Sequence, residues 1–372
     1  MRDSLEPVDV IHDAGNAPSP VRQRFDVRSF LTKLAISIAL AAALLIAGEC
    51  LAYLFMAHRN GGFDYEYRSY VVWRVAPTKG SNISVDPEGW RRTFYSHCGP
   101  GAYTIWMFGS SGLWGDFSRD DETIASFLAK NYEESGRPVC VKNYGQRGWA
   151  STQEVIQLML ELKHAANKPN VVLFYDGSLD AGLPFESDQE DVHEGFPRFK
   201  AKFESWREGQ GGFGFLRDTN TYLALQWVGG KLGVNSHAGA AESFSDQRLN
   251  AMAKRVLDNY LANMTLTDVL AKQYGFQYFC LWEPWLLSAR KPLSAEEVLL
   301  KAGFAKSNPG MAEVTNTTYE LFRNLNHPHF VYLGDIFKDH PERLFLDTSH
   351  LGTEGNRLIA ERIFRTLHEH GS

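Results

Sequence analysis

From residue 103 onward, short apolar runs alternate with longer stretches in which apolar residues recur every three or four positions. The short runs predict buried strands, and the longer stretches predict amphipathic helices. The predicted strands are 103–108, 138–142, 170–175, 276–281 and 330–333. The predicted helices are 120–133, 151–166, 247–273, 311–325 and 354–368. This alternation predicts an α/β fold in which helices cover both faces of a central parallel sheet.

Two stretches of the chain do not follow this pattern. Residues 57–101 contain several proline and glycine residues, which predict a linker and an irregular lead-in. Residues 181–246 are rich in glycine, aromatic and charged residues and are too long for a simple connection. They predict an insertion or lid within a folded domain that covers 102–372.

The longest apolar run lies near the amino terminus. Residues 1–30 are polar and of mixed charge, which predicts a disordered tail. Residues 31–56 follow with about the length of a bilayer core, interrupted chiefly by Glu49. A cleaved signal peptide fits poorly because the polar leader is long, and a lipoprotein site at Cys50 fits poorly because Glu49 precedes it. The sequence therefore predicts one transmembrane anchor.

The charges on either side of this run predict its orientation. Basic residues are more numerous before the run than after it: Arg22, Arg24, Arg28 and Lys33 precede its core, and Arg59 and Arg68 follow. Positive residues favour the cytoplasmic side, so the carboxyl-terminal domain is expected outside. In a bacterium this means a single-pass protein of the inner membrane with its folded domain in the periplasm.

Composition narrows the range of partners. The 372 residues are 44% hydrophobic and 22% charged, as in ordinary globular proteins, and the net charge is −6. This charge gives no reason to expect a nucleic acid partner. Cys98 and Cys140 lie beside or within the first two predicted strands, so the sequence is compatible with a disulfide between them and with two free thiols.

Motifs for cofactors and metals are not evident. The spacing of Gly109, Gly112 and Gly115 differs from the dinucleotide-binding pattern, and no lysine of a phosphate-binding loop follows them. The histidines near the end of the chain have no metal-ligand spacing and are expected to lie in exposed loops. The sequence therefore predicts neither a cofactor nor a metal.

Two short motifs contain candidate catalytic residues. The stretch 107–116 joins the first predicted strand to the first helix and places Ser111 at the carboxyl edge of the sheet, where open α/β sheets bind ligands. Asp347 and His350 precede the last helix, and at this spacing a carboxylate can hold one imidazole nitrogen while the other accepts a proton from a serine. Either motif alone is common in turns and helix caps. Together they predict a Ser–His–Asp arrangement.

Five blocks in order resemble the SGNH/GDSL hydrolase family over roughly 100–367. The blocks are Phe108–Ser111, Asn143–Gly148, Gly177–Asp180, Trp282–Ser294 and Asp347–His350. The fourth block is similar to a segment of membrane-anchored bacterial members. The resemblance implies a three-layer α/β/α sandwich with a central parallel sheet, the flavodoxin-like SGNH fold, here preceded by one transmembrane helix.

The resemblance also implies a role for each site residue. Ser111 is the nucleophile, His350 the base and then the acid, and Asp347 orients His350. The backbone N–H groups of Ser111 and Gly148 form the oxyanion hole. No metal or other cofactor takes part.

The sequence departs from the family pattern at three positions. Leu179 stands where the family has an asparagine that donates to the oxyanion, and loss of one such donor typically costs about two to three orders of magnitude in rate. Asn143 is the nearest polar candidate to replace it. Ser110 stands where the family often has Asp or Gly. Glu283 stands where anchored relatives tend to have Gln, and it adds negative charge if it faces the site.

These observations predict a membrane-anchored serine esterase that hydrolyses an acyl ester, such as an O-acetyl group. A substrate on an envelope or secreted glycan is expected because the anchor keeps the site near that material. Two alternatives remain: a glycan O-acyltransferase of the same fold, and a catalytically degenerate module that binds a glycan or an assembly partner. The oligomeric state is not predicted.

Overall fold

The computed structural model describes residues 27–59, 63–207, 219–231 and 244–369. The predicted disordered tail therefore lies outside the described residues as far as position 26. Two parts of the predicted insertion also lie outside them.

The described residues contain both small antiparallel pairs and a larger parallel sheet. The strands are β1 Tyr65–Arg68, β2 Val72–Val75, β3 Thr78–Lys79, β4 Ser84–Val85, β5 Thr104–Gly109, β6 Cys140–Asn143, β7 Val171–Asp176, β8 Gln277–Trp282 and β9 Phe330–Tyr332. The helices are α1 Val27–Arg59, α2 Ser111–Trp114, α3 Ile124–Glu134, α4 Ser151–His164, α5 Ser178–Ser187, α6 Phe196–Arg207, α7 Asn220–Lys231, α8 Asp246–Tyr274, α9 Ala295–Ser307, α10 Pro309–Arg323 and α11 Thr353–Glu369.

The central sheet has five parallel strands in the order β6-β5-β7-β8-β9. Counted along the chain, this is the 2-1-3-4-5 order of flavodoxin-like folds. Every residue of β5 and β7 is buried, as expected for strands covered on both faces. Helix α3 packs on α11, and α8 packs on α4 and α10. The predicted three-layer α/β/α fold with a parallel sheet is confirmed.

The sequence pattern did not indicate every helix. The predicted strands and helices of the alternating region lie within about four residues of the observed ones, but α2, α5, α6, α7 and α9 have no counterpart among the predicted helices. Helix α9 has a local signal, because Ser294 caps the backbone N–H of Glu297 and the Glu297 side chain accepts from the backbone N–H of Ser294. A Ser-x-x-Glu pattern of this kind predicts a helix start even where apolar periodicity is weak.

From residue 63 onward, the stretch predicted as a linker and irregular lead-in contains regular secondary structure. It forms the pairs β1–β2 and β3–β4 and packs on the parallel sheet. Arg91 forms isolated bridges to Val85 and to Asn143 of β6, and it is only 2% exposed. Residues 63–101, named here the lead-in segment, therefore differ from a linker because several of their side chains are buried against the rest of the domain.

A disulfide joins the lead-in segment to the sheet. Cys98 and Cys140 are bonded, with 4.5 Å between their Cα atoms and 42 residues between them in sequence. This resolves the two states that the sequence left open. Cys50 and Cys280 are free thiols.

Helix α1 contains the apolar run. Its segment Val27–Phe55 is 29 residues long and includes an 18-residue window that has a mean hydropathy of 2.3 and is not buried inside the protein. By length and composition it can cross a membrane.

Part of the predicted insertion lies against this helix. The Glu49 carboxylate accepts hydrogen bonds from the backbone N–H groups of Asn220 and Thr221 and from both side chains. These residues begin α7, which packs along α1. Glu49 therefore caps α7, so the charge within the apolar run has hydrogen-bond partners.

Candidate active site

Ser111 lies directly after β5, where the order of the sheet reverses between β5 and β7. A Cβ atom at Gly109 would be 2.7 Å from the carbonyl oxygen of Tyr175, so a glycine is needed for this close approach of the two strands. Ser111 then begins the short helix α2. The serine is thus at the switch point where doubly wound sheets bind ligands.

The structure brings the three predicted catalytic residues together. The Oγ atom of Ser111 is 2.8 Å from Nε2 of His350, although the two residues are 239 apart in sequence. Nδ1 of His350 is 2.7 Å from Oδ2 of Asp347. The other carboxylate oxygen accepts from the backbone N–H groups of Ser349 and His350, at 2.8 Å each. With Nδ1–H held by Asp347, Nε2 is free to accept the Ser111 proton.

The electrostatics of the pair suit a general base. Burial alone would lower the pKa of His350, but the hydrogen bond and charge of Asp347 outweigh it and raise the pKa above its ordinary value. Burial opposes ionisation of Asp347 as well, yet the hydrogen bonds from His350 and Ser349 hold its pKa below the usual range. The two groups stabilise each other's charged forms, so an imidazolium formed during reaction would be stabilised.

Asp116 is a second carboxylate beside His350, and no sequence motif identifies it as a site residue. Its Oδ2 is 3.7 Å from Nε2 of His350, and its Oδ1 is 2.8 Å from Nε of Arg147. Its charge contributes to the raised pKa of His350. Asp116 ends the glycine-rich stretch after β5, but only the folded chain shows that its side chain reaches the imidazole.

The predicted oxyanion loop, 143–148, is held in one conformation. Gly148 has a φ of +76°, a region that favours glycine, and a Cβ there would collide with the carboxylate of Glu194. Asn143 donates from Nδ2 to the carbonyl of Leu113 and accepts from the backbone N–H of Gly145. One of its two amide N–H groups is therefore bonded to the backbone, and Asn143 is not among the residues that line the cavity beside Ser111, which argues against the expectation that it replaces the missing donor.

The lead-in segment holds this loop from outside. Trp73 Nε1–H donates to the carbonyl of Arg147, and Trp149 Nε1–H donates to the carbonyl of Trp73. The fully buried Gln146 accepts from the backbone N–H of Val75 through its side chain. Because these bonds cross between segments, no local pattern could indicate them.

Arg91 of the same segment holds the turn after Ser111. It donates to the carbonyls of Trp114, Gly115 and Ser118 and pairs with Asp120 at 3.0 Å. The guanidinium therefore binds backbone carbonyls at the end of α2 and in the turn that follows it.

A cavity of about 160 Å³ opens beside Ser111. It contains polar groups near the serine and apolar side chains further along its wall. Its lining is Ser110, Ser111, Gly112, Gly148, Ser178, Leu179, Glu194, Glu283, Trp285, Phe304, Met311, Thr348 and Ser349. Leu179 therefore lines the site, as the resemblance of the third block implied, and its side chain offers no hydrogen-bond donor. Within the described residues, no group of three or more His, Cys, Asp or Glu side chains is arranged to hold a metal ion.

Glu283 follows β8 and is 1% exposed. Its Oε1 accepts from the backbone N–H of Ser178 at 2.9 Å and from the Ser178 hydroxyl at 2.7 Å. Burial raises the pKa of Glu283 to about 7 against the effect of these hydrogen bonds. A carboxyl group that titrates near neutrality therefore lines the same cavity as the serine.

Fold and site together define a doubly wound α/β protein with a Ser–His–Asp arrangement at the carboxyl edge of its sheet. No protein-family model and no curated protein matches the chain. Similar solved structures include a member of the lipolytic protein G-D-S-L family from Veillonella parvula DSM 2008, with 10% identity, a TM-score of 0.38 and coverage of 71% of this chain and 98% of that chain.

The lipase/acylhydrolase from Enterococcus faecalis is 15% identical, with a TM-score of 0.38 and coverage of 72% of this chain and 96% of its own. The acetyl xylan esterase AlAXEase is 9% identical, with a TM-score of 0.36 and coverage of 71% and 99%. Because these identities and TM-scores are low, the fold assignment rests on the strand order and the site on its own distances.

Proposed function

We propose that the protein is a membrane-anchored serine hydrolase that cleaves an acyl ester. The observation that carries this proposal is the continuous hydrogen-bond chain from Ser111 through His350 to Asp347 beside an open cavity. If Ser111 were an ordinary surface serine and Asp347 only a helix cap, there would be no reason for His350 to bind Ser111 through Nε2 and Asp347 through Nδ1.

The reaction follows from the positions of the atoms. Ser111 Oγ attacks the acyl carbon while its proton moves to Nε2 of His350, and Asp347 stabilises the imidazolium that forms. Backbone N–H groups of Ser111 and Gly148 would donate to the oxyanion. Collapse of the tetrahedral intermediate releases the alcohol, which takes its proton from His350. Water then attacks the acyl-enzyme by the same steps and releases the acid.

The cavity suits the apolar part of an acyl group, because Leu179, Trp285, Phe304 and Met311 give its wall an apolar character. An O-acetyl ester on an envelope or secreted glycan is the substrate class that we propose, because the anchor would keep the site close to such material.

The location in the proposal is the bacterial inner membrane, with the folded domain in the periplasm. Two observations support it: α1 is long and apolar enough to span a bilayer, and Cys98 and Cys140 form a disulfide. Structural disulfides persist chiefly in oxidising compartments.

The test is hydrolysis of p-nitrophenyl acetate by the detergent-solubilised full chain and by Ser111→Ala. We expect the variant to lose at least ~10³-fold in kcat/KM, because the nucleophile and its base act as a unit. Ser135→Ala, at the end of α3 and away from the cavity, is the matched control and should retain full activity. Equal rates for Ser111→Ala and the wild type would overturn the proposal, whereas activity that rises with an added sugar acceptor would indicate acyl transfer.

A further inference from the structure

The carboxyl group of Glu283 lies in the wall of the cavity, and the mechanism above does not use it. Its two oxygens differ in their surroundings. Oε1 accepts both hydrogen bonds from Ser178, at 2.9 Å from the backbone nitrogen and 2.7 Å from the hydroxyl. Oε2 has no hydrogen-bond partner among the residues that the structure describes.

Oε2 lies against the residue that follows the nucleophile. It is 3.0 Å from the position that a Cβ atom at Gly112 would occupy, so the absence of a side chain at Gly112 leaves room for it. Glu283, Ser111 and Gly148 line one cavity. Oε2 is thus the carboxyl oxygen that Ser178 does not hold, on a residue in the wall of the cavity that Ser111 also lines.

Hydrogen bonding decides which oxygen carries a proton when Glu283 is neutral. Oε1 accepts from two donors, and a third hydrogen on that atom would be crowded, so the proton belongs on Oε2. Burial raises the pKa of Glu283 to about 7, so a substantial fraction of the carboxyl groups is protonated at neutral pH. A neutral carboxyl can donate a hydrogen bond, as a side-chain amide can.

The groups around Glu283 act in both directions on its ionisation. The neighbouring titratable groups are His350, Asp180, Asp176, Glu154, Tyr175 and Tyr319. A charged His350 favours the carboxylate, whereas a charged Asp180 opposes it. Asp176 and Glu154 are buried, and burial raises the pKa of each well above its ordinary value.

We propose that Glu283, protonated on Oε2, is a catalytic hydrogen-bond donor to the acyl oxygen of the substrate and supplies the side-chain donor that Leu179 lacks. The proton stays on Glu283 throughout, and the hydrogen bond strengthens as the carbonyl oxygen becomes an oxyanion. This role rests on the proposed function of Ser111 as the nucleophile. One preorganised donor of this kind is worth about 10²- to 10³-fold in rate.

The experiment compares the full chain in detergent with Glu283→Gln and Glu283→Leu. Two quantities are measured as a function of pH. The first is kcat/KM for p-nitrophenyl acetate after subtraction of the background rate of the Ser111→Ala variant. The second is the rate at which a fluorophosphonate labels Ser111. In the wild type both rates should rise as His350 loses its proton and fall as Glu283 loses its own. Because the two groups interact, the rising and falling limbs of each pH profile give macroscopic pKa values that belong to the pair.

The amide of Glu283→Gln donates at every pH, so its rates should rise with pH and then stay level. Glu283→Leu has no donor and should be about 10²- to 10³-fold slower at the pH at which the wild type is most active, with unchanged circular dichroism. Glu154→Gln is the matched control, because Glu154 is a buried glutamate that does not line the cavity; this variant should keep the alkaline fall. An alkaline fall that persists in Glu283→Gln, or a wild-type rate in Glu283→Leu, would overturn the inference.

An infrared measurement separates this inference from the proposed function. A protonated Glu283 should give a carboxyl C=O band at mildly acidic pH that shifts in D₂O and is missing from Glu283→Gln. Absence of this band in the wild type would overturn the inference even if Ser111 is active. If Ser111 is not labelled in the wild type, the proposed function fails, and the catalytic role of Glu283 fails with it whether or not the band is present.

Discussion

The imidazole of His350 has carboxylates near both of its nitrogens. Asp347 contacts Nδ1 at 2.7 Å, and Asp116 lies 3.7 Å from Nε2. The first distance is a hydrogen bond that fixes the tautomer, whereas the second is a longer-range charge interaction. Asp116 is also paired with Arg147, which limits its effect on the imidazole. The pKa of His350 therefore depends on a residue that does not belong to the hydrogen-bond chain.

At this scale we predict the effect of Asp116→Asn. Removal of the charge takes away one of the contributions that raise the pKa of His350, so the base should lose its proton at a lower pH. The acidic limb of the kcat/KM profile should move to lower pH, and activity below the wild-type limb should rise. A limb that stays in place or moves to higher pH would contradict this.

Asp347→Asn is the contrasting variant for that experiment. It should lower kcat by about 10⁴-fold, because an amide in place of the carboxylate favours the wrong imidazole tautomer. If Asp116→Asn lowered kcat as Asp347→Asn does, Asp116 would orient His350 and not only contribute negative charge near it.

At the scale of elements, the lead-in segment supports the site without entering it. Trp73 binds the loop that contains Gly148, and Arg91 binds the turn that follows Ser111. Both site loops leave the sheet at its carboxyl edge and would otherwise depend on their own backbone hydrogen bonds. The disulfide from Cys98 to Cys140 fastens the far end of the segment to β6.

We predict that the double variant Cys98→Ser, Cys140→Ser lowers the free energy of unfolding by about 2–4 kcal/mol. The bond closes a loop over a sequence separation of 42 residues, so its loss should enlarge the unfolded ensemble. Urea unfolding followed by circular dichroism measures the change. Reductant should destabilise the wild type and leave the variant unaffected. Equal midpoints of urea unfolding for the two proteins without reductant would count against a structural role for the disulfide.

At the scale of the whole molecule, apolar surface is distributed very unevenly. The parallel sheet is covered on both faces, whereas most side chains of Val27–Phe55 are exposed, with Leu44 at 73% and Leu45 at 74%. A continuous exposed apolar surface of this size is unusual for a soluble protein and indicates a membrane or a partner. The cap that Glu49 provides for α7 brings part of the insertion to the same helix.

The matching prediction compares Leu44→Arg with Leu299→Arg in the full chain. Both leucines are 73% exposed, but only Leu44 lies in the proposed span. An arginine near the centre of a span disfavours insertion by about 2.5–3.5 kcal/mol, so Leu44→Arg should increase the fraction released by an alkaline carbonate wash. Leu299→Arg should stay with the membrane as the wild type does. Release of the wild type by the wash would contradict the anchor.

A second measurement shows on which side of the membrane the folded domain lies. An alkaline phosphatase fused to the carboxyl terminus should be active if the folded domain lies outside the cytoplasm, because that enzyme needs its disulfides. The same fusion in Leu44→Arg should lose activity in proportion to the loss of insertion.

The sequence by itself determined those features that are encoded over short distances. Apolar runs and helical periodicity specify β5, β7 and α11, because burial of one face or of both faces acts residue by residue. The Asp347–His350 contact is also local, since three residues within one turn bring the carboxylate to the imidazole. The position of Ser111 after β5 follows from the strand and the small residues beyond it.

Only the tertiary structure decided how these parts meet. The contact of Ser111 with His350 spans 239 residues, and the proximity of Asp116 and the burial of Glu283 depend on how several segments pack. The pairing of Arg91 with the turn beyond Ser111 is likewise non-local, so a stretch rich in proline and glycine resembled a linker. Burial and charge proximity set the pKa values of the site, and neither is a property of the local sequence.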